Sequence, residues 1–178
     1  MCSFIKGEAE NATRELAVER GPCPDGASAG VRNAHLLAVA PNASSSIICG
    51  NTSPSIEPYR ANAFTQKTKS GSSLLKNEYL EHALQEIGQD TDDVWKSIIT
   101  QGGSVQHLDF LDDWTKEIFK TAVEIDQRWV IEMAADRQEV ICQSQSLNIF
   151  FPSNVSKQEL HAIHMMAWKR KVKTLYYL

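Results

Sequence analysis

Three things are scarce in this 178-residue sequence: clustered cysteine, long apolar runs and positive charge. The four cysteines, Cys2, Cys23, Cys49 and Cys142, are scattered and show no CxxC spacing, which fits reduced thiols of a cytosolic protein. No apolar run approaches the ~20 residues that span a bilayer, and Met1 to Lys6 is too short and mixed for a secretion signal. Without such a signal, the Asn-x-Ser/Thr sequons at Asn11, Asn42, Asn51 and Asn154 are chance matches. The net charge of −4 leaves no broad basic surface for a nucleic-acid backbone. These shortages predict a cytoplasmic protein that binds neither membrane nor nucleic acid. Apolar residues make up 42% of the chain, enough for one domain with a real core. No internal repeat or low-complexity segment is present.

The pattern is helical with a few short strands. Residues 8–20 read as a helix, and 21–30 as a Gly/Pro-rich loop. His-Leu-Leu-Ala-Val-Ala at 35–40, ended by Pro41, predicts a buried strand. A polar turn at 42–46 leads into one helical turn at 47–50, and 52–58 is a loop. Asn77 and Thr91 are caps for two helices, bounded by Gly88 and Gly102. A third helix starts at Asp112 or Asp113, with Ile118, Phe119, Ala122 and Val123 on one side. A fourth covers 126–137, with Val130, Met133 and Ala134 as its apolar residues. Strands are expected at 147–151 and 172–178. Between them Ser156-Lys-Gln-Glu159 is a capping box before Leu160, Ile163, Met166 and Ala167. Strand, turn, many helices and strand make an α/β pattern, with too few strands to close a barrel alone.

Two segments carry candidate chemistry. Ala-Pro-Asn-Ala-Ser-Ser-Ser (40–46) follows a strand and opens a helical turn. Unpaired backbone N–H groups there point at any anion, and small residues let a phosphate come close. The same serines would serve equally as ordinary helix caps. Tyr176-Tyr177 is the second. A phenol stays protonated at neutral pH, and it can lose an electron and a proton together, so two in contact form a relay. Aromatics also simply favour strands. Neighbours on a regular strand face opposite ways, so stacked rings need a bend or the strand's end.

Other features have plainer readings. His161 and His164 share a helix face but lack evident further metal ligands. Asp109, Asp112 and Asp113 suit a solvated helix start, and Lys169, Arg170, Lys171 and Lys173 suit a helix C-terminus. Glu57 is placed to hold a loop by a charge-assisted hydrogen bond. Trp95, Trp114, Trp129 and Trp168 are expected as core or interface anchors.

Four strings in order resemble the large subunit of class I ribonucleotide reductase. They are Arg-Asn-Ala-His-Leu-Leu-Ala-Val-Ala-Pro-Asn-Ala-Ser-Ser-Ser (32–46), Thr-Ser-Pro-Ser-Ile-Glu-Pro (52–58), Cys-Gln-Ser-Gln-Ser-Leu-Asn (142–148) and Lys-Thr-Leu-Tyr-Tyr (173–177). The resemblance implies a partial segment of that family's ten-stranded α/β barrel. Residues 1–31 would be an N-terminal helix and loop, and 32–178 the C-terminal part of the barrel, incomplete at both ends. It implies that Pro41, Asn42, Ala43, Ser44 and Ser45 receive the diphosphate of a ribonucleotide. Tyr176 and Tyr177 would pass a radical toward an active-site cysteine. The implied reaction is reduction of ribonucleoside diphosphates to deoxyribonucleotides.

The same resemblance implies what this chain would not hold. The radical-bearing cysteine, the reducing cysteine pair and the catalytic asparagine and glutamate match nothing here, and Cys23, Cys49 and Cys142 do not take those roles. No cofactor is expected in this chain. A metal-radical cofactor would reside in the small subunit, and ATP or deoxynucleotide effectors would bind upstream regions. Expected partners are the remainder of the large subunit, the radical-generating small subunit, the ribonucleoside diphosphate and a second large subunit. The isolated chain is expected to be inactive and poorly folded, because strands 35–40 and 173–178 lack neighbours. Lys171 stands where many relatives have glycine, which makes a left-handed helix cap less comfortable. Two other readings remain: a non-catalytic remnant that binds a partner subunit without turnover, and a phosphate-binding α/β module unrelated to the reductase.

Overall fold

The computed structural model describes all residues except 51, 70 and 176–178, and of Thr68 the backbone alone. Two compact units are present: Met1–Ala40 with Gln127–Ile149 and Val155–Leu178, and Pro41–Asp126 with Phe150–Asn154.

The first unit is built on three helices: α1 (Cys2–Arg20), α6 (Gln127–Gln138) and α7 (Lys157–Lys169). Helix α1 starts six residues before the expected position and runs on to Gly21. It is mostly polar, and only Thr13 and Ala17 are buried along it. Thr13 fixes the return of the chain. Its carbonyl accepts from the Arg32 amide at 3.0 Å, and its hydroxyl accepts from the Asn33 amide at 2.8 Å. Helices α6 and α7 pack together, burying Ile131, Ala134 and Ala135 from one and Ile163 and Ala167 from the other. Met133, expected inward, is 57% exposed, because the buried stripe of α6 runs through residues 131, 134 and 135. The α7 start is as the sequence reads: the Ser156 hydroxyl accepts from the Glu159 amide at 3.0 Å.

The three expected strands are not regular strands among the described residues. Segment 36–39 runs parallel to 142–146, yet the recognised pairing is a single bridge between Val39 and Gln145. The Val39 amide donates to the Ser144 carbonyl at 3.2 Å, and the Ser146 amide donates to the Val39 carbonyl at 2.9 Å. Nor is 35–40 fully buried: His35, Ala38 and Ala40 are exposed, and Leu36, Leu37 and Val39 are half-buried. In 147–151 the burial is present without a ladder, with Leu147, Asn148 and Ile149 inside. Residues 172–175 likewise form no regular strand.

The second unit contains α2 (Ala43–Ile48), the antiparallel hairpin β1 (Ala63–Thr68) and β2 (Gly71–Lys76), α3 (Glu78–Glu86), α4 (Asp92–Thr100) and α5 (Asp113–Ile118). The hairpin was not anticipated, and α2 begins within the serine run rather than after it. Helices α3 and α4 start at their expected caps: Asn77 accepts from the Tyr79 amide and Thr91 from the Val94 amide. Ala63, Leu80, Leu84, Trp95, Ile98, Val105, Leu108 and Leu111 form the core here. Burying side chains of this size stabilises by about 1.5–3 kcal/mol each. Helix α5 is shorter than expected. It ends at Ile118, so Ala122 and Val123 fall in the turn beyond it, the first buried and the second 51% exposed.

Of the four tryptophans, Trp95 alone is in a core, whereas Trp114, Trp129 and Trp168 are 75%, 62% and 71% exposed.

Candidate functional site

The 40–46 turn owes its shape to Asn42. Its φ of 47° and ψ of 30° are left-handed, a conformation asparagine tolerates better than most side chains. That bend ends the 36–39 segment and sets the start of α2. The Ser46 amide then donates to the Asn42 carbonyl at 3.0 Å, and the Ser46 hydroxyl to the Ala43 carbonyl at 3.0 Å. Ser46 is buried and spent on the turn itself. Pro41, Asn42, Ala43, Ser44 and Ser45 are all exposed. The amides of Ala43, Ser44 and Ser45 belong to the first turn, where no preceding helical carbonyl can accept them. The Asn42 side chain does not cap them. Because α2 has six residues, its dipole is short, and any anion held here would depend on local amides and hydroxyls.

Tyr176 and Tyr177 lie outside the described residues. The segment leading to them is described and is tied down. Lys173 Nζ donates to the Cys142 carbonyl, and the Lys173 amide reaches Gln138 Oε1 at 3.4 Å. The Thr174 hydroxyl makes a long contact of 3.5 Å with the Gln145 carbonyl.

Sequence reasoning missed the polar groups beside residues 173 and 174. Gln145 is 1% exposed. Its Nε2 donates to the Ala134 carbonyl at 2.8 Å, and its Oε1 accepts from Arg137 Nε at 3.1 Å. Burial lowers the affinity of the Arg137 guanidinium for its proton, while Cys2 and Asp136 work in the opposite sense. No sequence signal set Gln145 apart: residues two apart in a regular extended run share a face, yet Gln143 is exposed and Gln145 buried.

Cys142 has a defined environment too. Its Sγ accepts from the Leu36 and Leu37 amides, each at 3.1 Å. Burial alone would raise the thiol's pKa. The amides of Leu37, Leu36, Cys142 and Gln143 outweigh it, and the thiol sits below its ordinary value. All four cysteines are free.

The remaining candidates take structural places. His164 Nδ1 lies 2.6 Å from the Leu160 carbonyl, and His161 is exposed. Among the described residues no group of three or more His, Cys, Asp and Glu could hold a metal, and no helix is long and apolar enough to cross a membrane. Asp112 caps α5 through the Thr115 amide at 2.6 Å, which depresses its carboxyl pKa. Glu57 is buried in its loop. Lys171 adopts φ 60°, the left-handed conformation that its place after α7 demands.

The fold and the four strings converge on one family. The family model described as "Ribonucleotide reductase, barrel domain" matches residues 4–178, so the chain belongs to the ribonucleotide reductase barrel-domain family. It is 52% identical over 163 residues, 89% of this chain, to the ribonucleoside-diphosphate reductase large subunit of Invertebrate iridescent virus 6. With the corresponding large subunit of Invertebrate iridescent virus 3 it shares 46% identity over 176 residues, 97% of this chain. The solved structure of the Actinobacillus ureae class Id ribonucleotide reductase alpha subunit superposes with a TM-score of 0.83 at 38% identity, covering 99% of this chain and 33% of that one. The chain spans 17% and 28% of the length of the two viral relatives. It is therefore a segment of an α/β barrel, mostly helical, with two short strands among the described residues.

Proposed function

We propose that this chain supplies part of a ribonucleoside-diphosphate reductase large subunit: the turn that seats the substrate diphosphate and the tyrosine pair of the radical path. The observation that carries the reading is the exposed turn at Pro41, Asn42, Ala43, Ser44 and Ser45, with a left-handed Asn42 whose side chain leaves the first-turn amides of α2 uncapped. A diphosphate there would accept from those amides and from the Ser44 and Ser45 hydroxyls, without a charged side chain in the turn. Tyr176 and Tyr177 would carry the hole onward, each phenol giving up an electron together with its proton. The radical itself comes from the metal centre of a small subunit, and effectors bind other parts of the large subunit. The reductase thus works as an assembly of this segment, the rest of the large subunit, the small subunit and a second large subunit.

The test mixes the chain with the remaining part of a large subunit and with a small subunit, and measures reduction of ribonucleoside diphosphates. Restored turnover is expected. Tyr176→Phe and Tyr177→Phe should each abolish it, because a phenylalanine ring cannot take the hole. Replacing Ser44 and Ser45 with valine should raise KM for the diphosphate, with a smaller effect on kcat. Turnover by either phenylalanine variant at the parental rate would refute the relay. Binding of the partner subunits without turnover would favour the second reading, an assembly module, which the exposed Trp114, Trp129 and Trp168 also suit.

A further inference from the structure

We propose that Ser46 is a positioning residue for the diphosphate seat: its buried side chain and its backbone hold the 42–45 turn in the shape that a phosphate group recognises. The proposal rests on the reading of Pro41, Asn42, Ala43, Ser44 and Ser45 given above, and adds to it a residue that acts through that turn.

Three serines stand in a row at 44–46, and the structure gives them different places. Ser44 and Ser45 are exposed. Ser46 is 7% exposed and is the one buried residue of α2. Three hydrogen bonds converge on it. Its amide donates to the Asn42 carbonyl at 3.0 Å, which closes the turn over the left-handed residue. Its hydroxyl donates to the Ala43 carbonyl at 3.0 Å. Its carbonyl accepts from the Thr52 amide at 3.2 Å, which ties α2 to the loop that begins there.

Helix propensity does not explain a serine here. Alanine is the better helix former, and a hydroxyl taken out of water is costly unless it is bonded. The bond it makes reaches back to Ala43, and back-bonding of this kind bends the helix that carries it. A helix of six residues is too short to fix its own geometry, because a costly nucleus is followed by little propagation. The shape of the 42–45 turn is therefore set by what pins it, and Ser46 pins it at Asn42 and at Ala43. The turn holds no charged side chain, so its grip on phosphate depends on the directions of its amides and hydroxyls. A hydrogen bond weakens steeply as donor and acceptor fall out of line. Donors already held in the bound arrangement bind more tightly than donors that must first be ordered.

The experiment compares the parent with Ser46→Ala, in the full chain and in the reassembled enzyme. Alanine keeps the backbone amide and carbonyl, removes the hydroxyl and raises helix propensity. In the enzyme, KM for CDP should rise about fivefold at an unchanged kcat, the pattern of lost uniform binding. Inorganic pyrophosphate, as a competitor of CDP, should weaken in the same ratio. Titrating inorganic pyrophosphate into the full chain reads that ratio without turnover. The melting temperature should hold or rise, which separates positioning from a general loss of stability. Ser44→Val and Ser45→Val test the seat itself. An unchanged KM in Ser46→Ala, beside a raised KM in those two variants, overturns the role of Ser46 and leaves the seat standing. So does a fall in kcat or in melting temperature at unchanged KM, which makes Ser46 a residue of folding alone. If neither Ser44→Val nor Ser45→Val changes KM, and pyrophosphate does not compete with CDP, the seat and the positioning role fall together.

Discussion

Asn77 Nδ2 donates to Asn62 Oδ1 at 3.0 Å, inside the second unit. The Asn77 amide also donates to the Asn62 carbonyl at 2.8 Å, so the residue that caps α3 is held by a residue before β1. Asn62 Nδ2 completes the junction, reaching the carbonyls of Gly103 at 3.0 Å and Phe119 at 2.7 Å. Asn62→Ala strands three partners in a site where Asn62 is 2% exposed. The expected loss is about 3 kcal/mol, read as a shift in urea midpoint with unchanged slope.

Glu124 predicts acid behaviour. Burial would raise its pKa, but hydrogen bonds from Ser104 and Thr121, helped by Lys120, bring it below the ordinary 4.5. The Ser104 hydroxyl is 2.6 Å away, and the Thr121 amide and hydroxyl are each 2.8 Å away. A depressed carboxylate stabilises fully above its unfolded value and loses that contribution as pH falls through the folded value. Stability should therefore fall as the pH drops below about 4.5. Glu124→Gln should be less stable at neutral pH and show a flatter acid limb in thermal melts.

The titration of Asp90 should depend on Trp95. Trp95 Nε1 donates to Asp90 Oδ1 at 2.7 Å, and this bond is the main cause of the lowered Asp90 pKa. Gln85 adds a second bond at 3.1 Å. Trp95→Phe keeps the aromatic core and removes the donor. The Asp90 midpoint, followed by carboxyl NMR, should move up toward the ordinary carboxylate range; an unmoved midpoint would assign the shift to Gln85 and Lys76.

Lys171 offers a stabilising change. Its φ of 60° costs a side chain about 1 kcal/mol, partly offset in glycine by the larger entropy of its unfolded state. Lys171→Gly should stabilise by about 0.5 kcal/mol net, visible as a small rise in Tm. A fall would mean that the lysine side chain contributes more than its backbone costs.

The legible parts of the sequence were those decided locally. Asn77, Thr91, Asp112 and Ser156 each cap the helix they precede, because a side-chain oxygen two or three residues from the amide that donates to it needs no distant partner. Segments decided at long range were read less well. Whether 35–40 forms a strand depends on 142–146, and the local apolar run overstated its burial. The hairpin of β1 and β2 went unread because its strands carry mixed polar residues and half-hearted alternation. Position 118 marks the end of α5, since Phe119 already departs from helical geometry and sends Ala122 inward on a turn. At the site, the left-handed Asn42 fits the small-residue turn that the string announced. The Gln138–Gln145 pair was hidden, since many of its partners are main-chain atoms, and composition says nothing about those.

The bridge between Val39 and Gln145 has a consequence for the order of folding. It belongs to a set of contacts whose members, such as Leu36 and Cys142, are separated by 106 residues. Closing so long a loop is entropically unfavourable until other structure has shortened it. The hairpin and helices α3 and α4 make their contacts within short stretches and can condense while the chain is still being synthesised. Residues 36–39 must wait for 142–146 to emerge before this bridge can form.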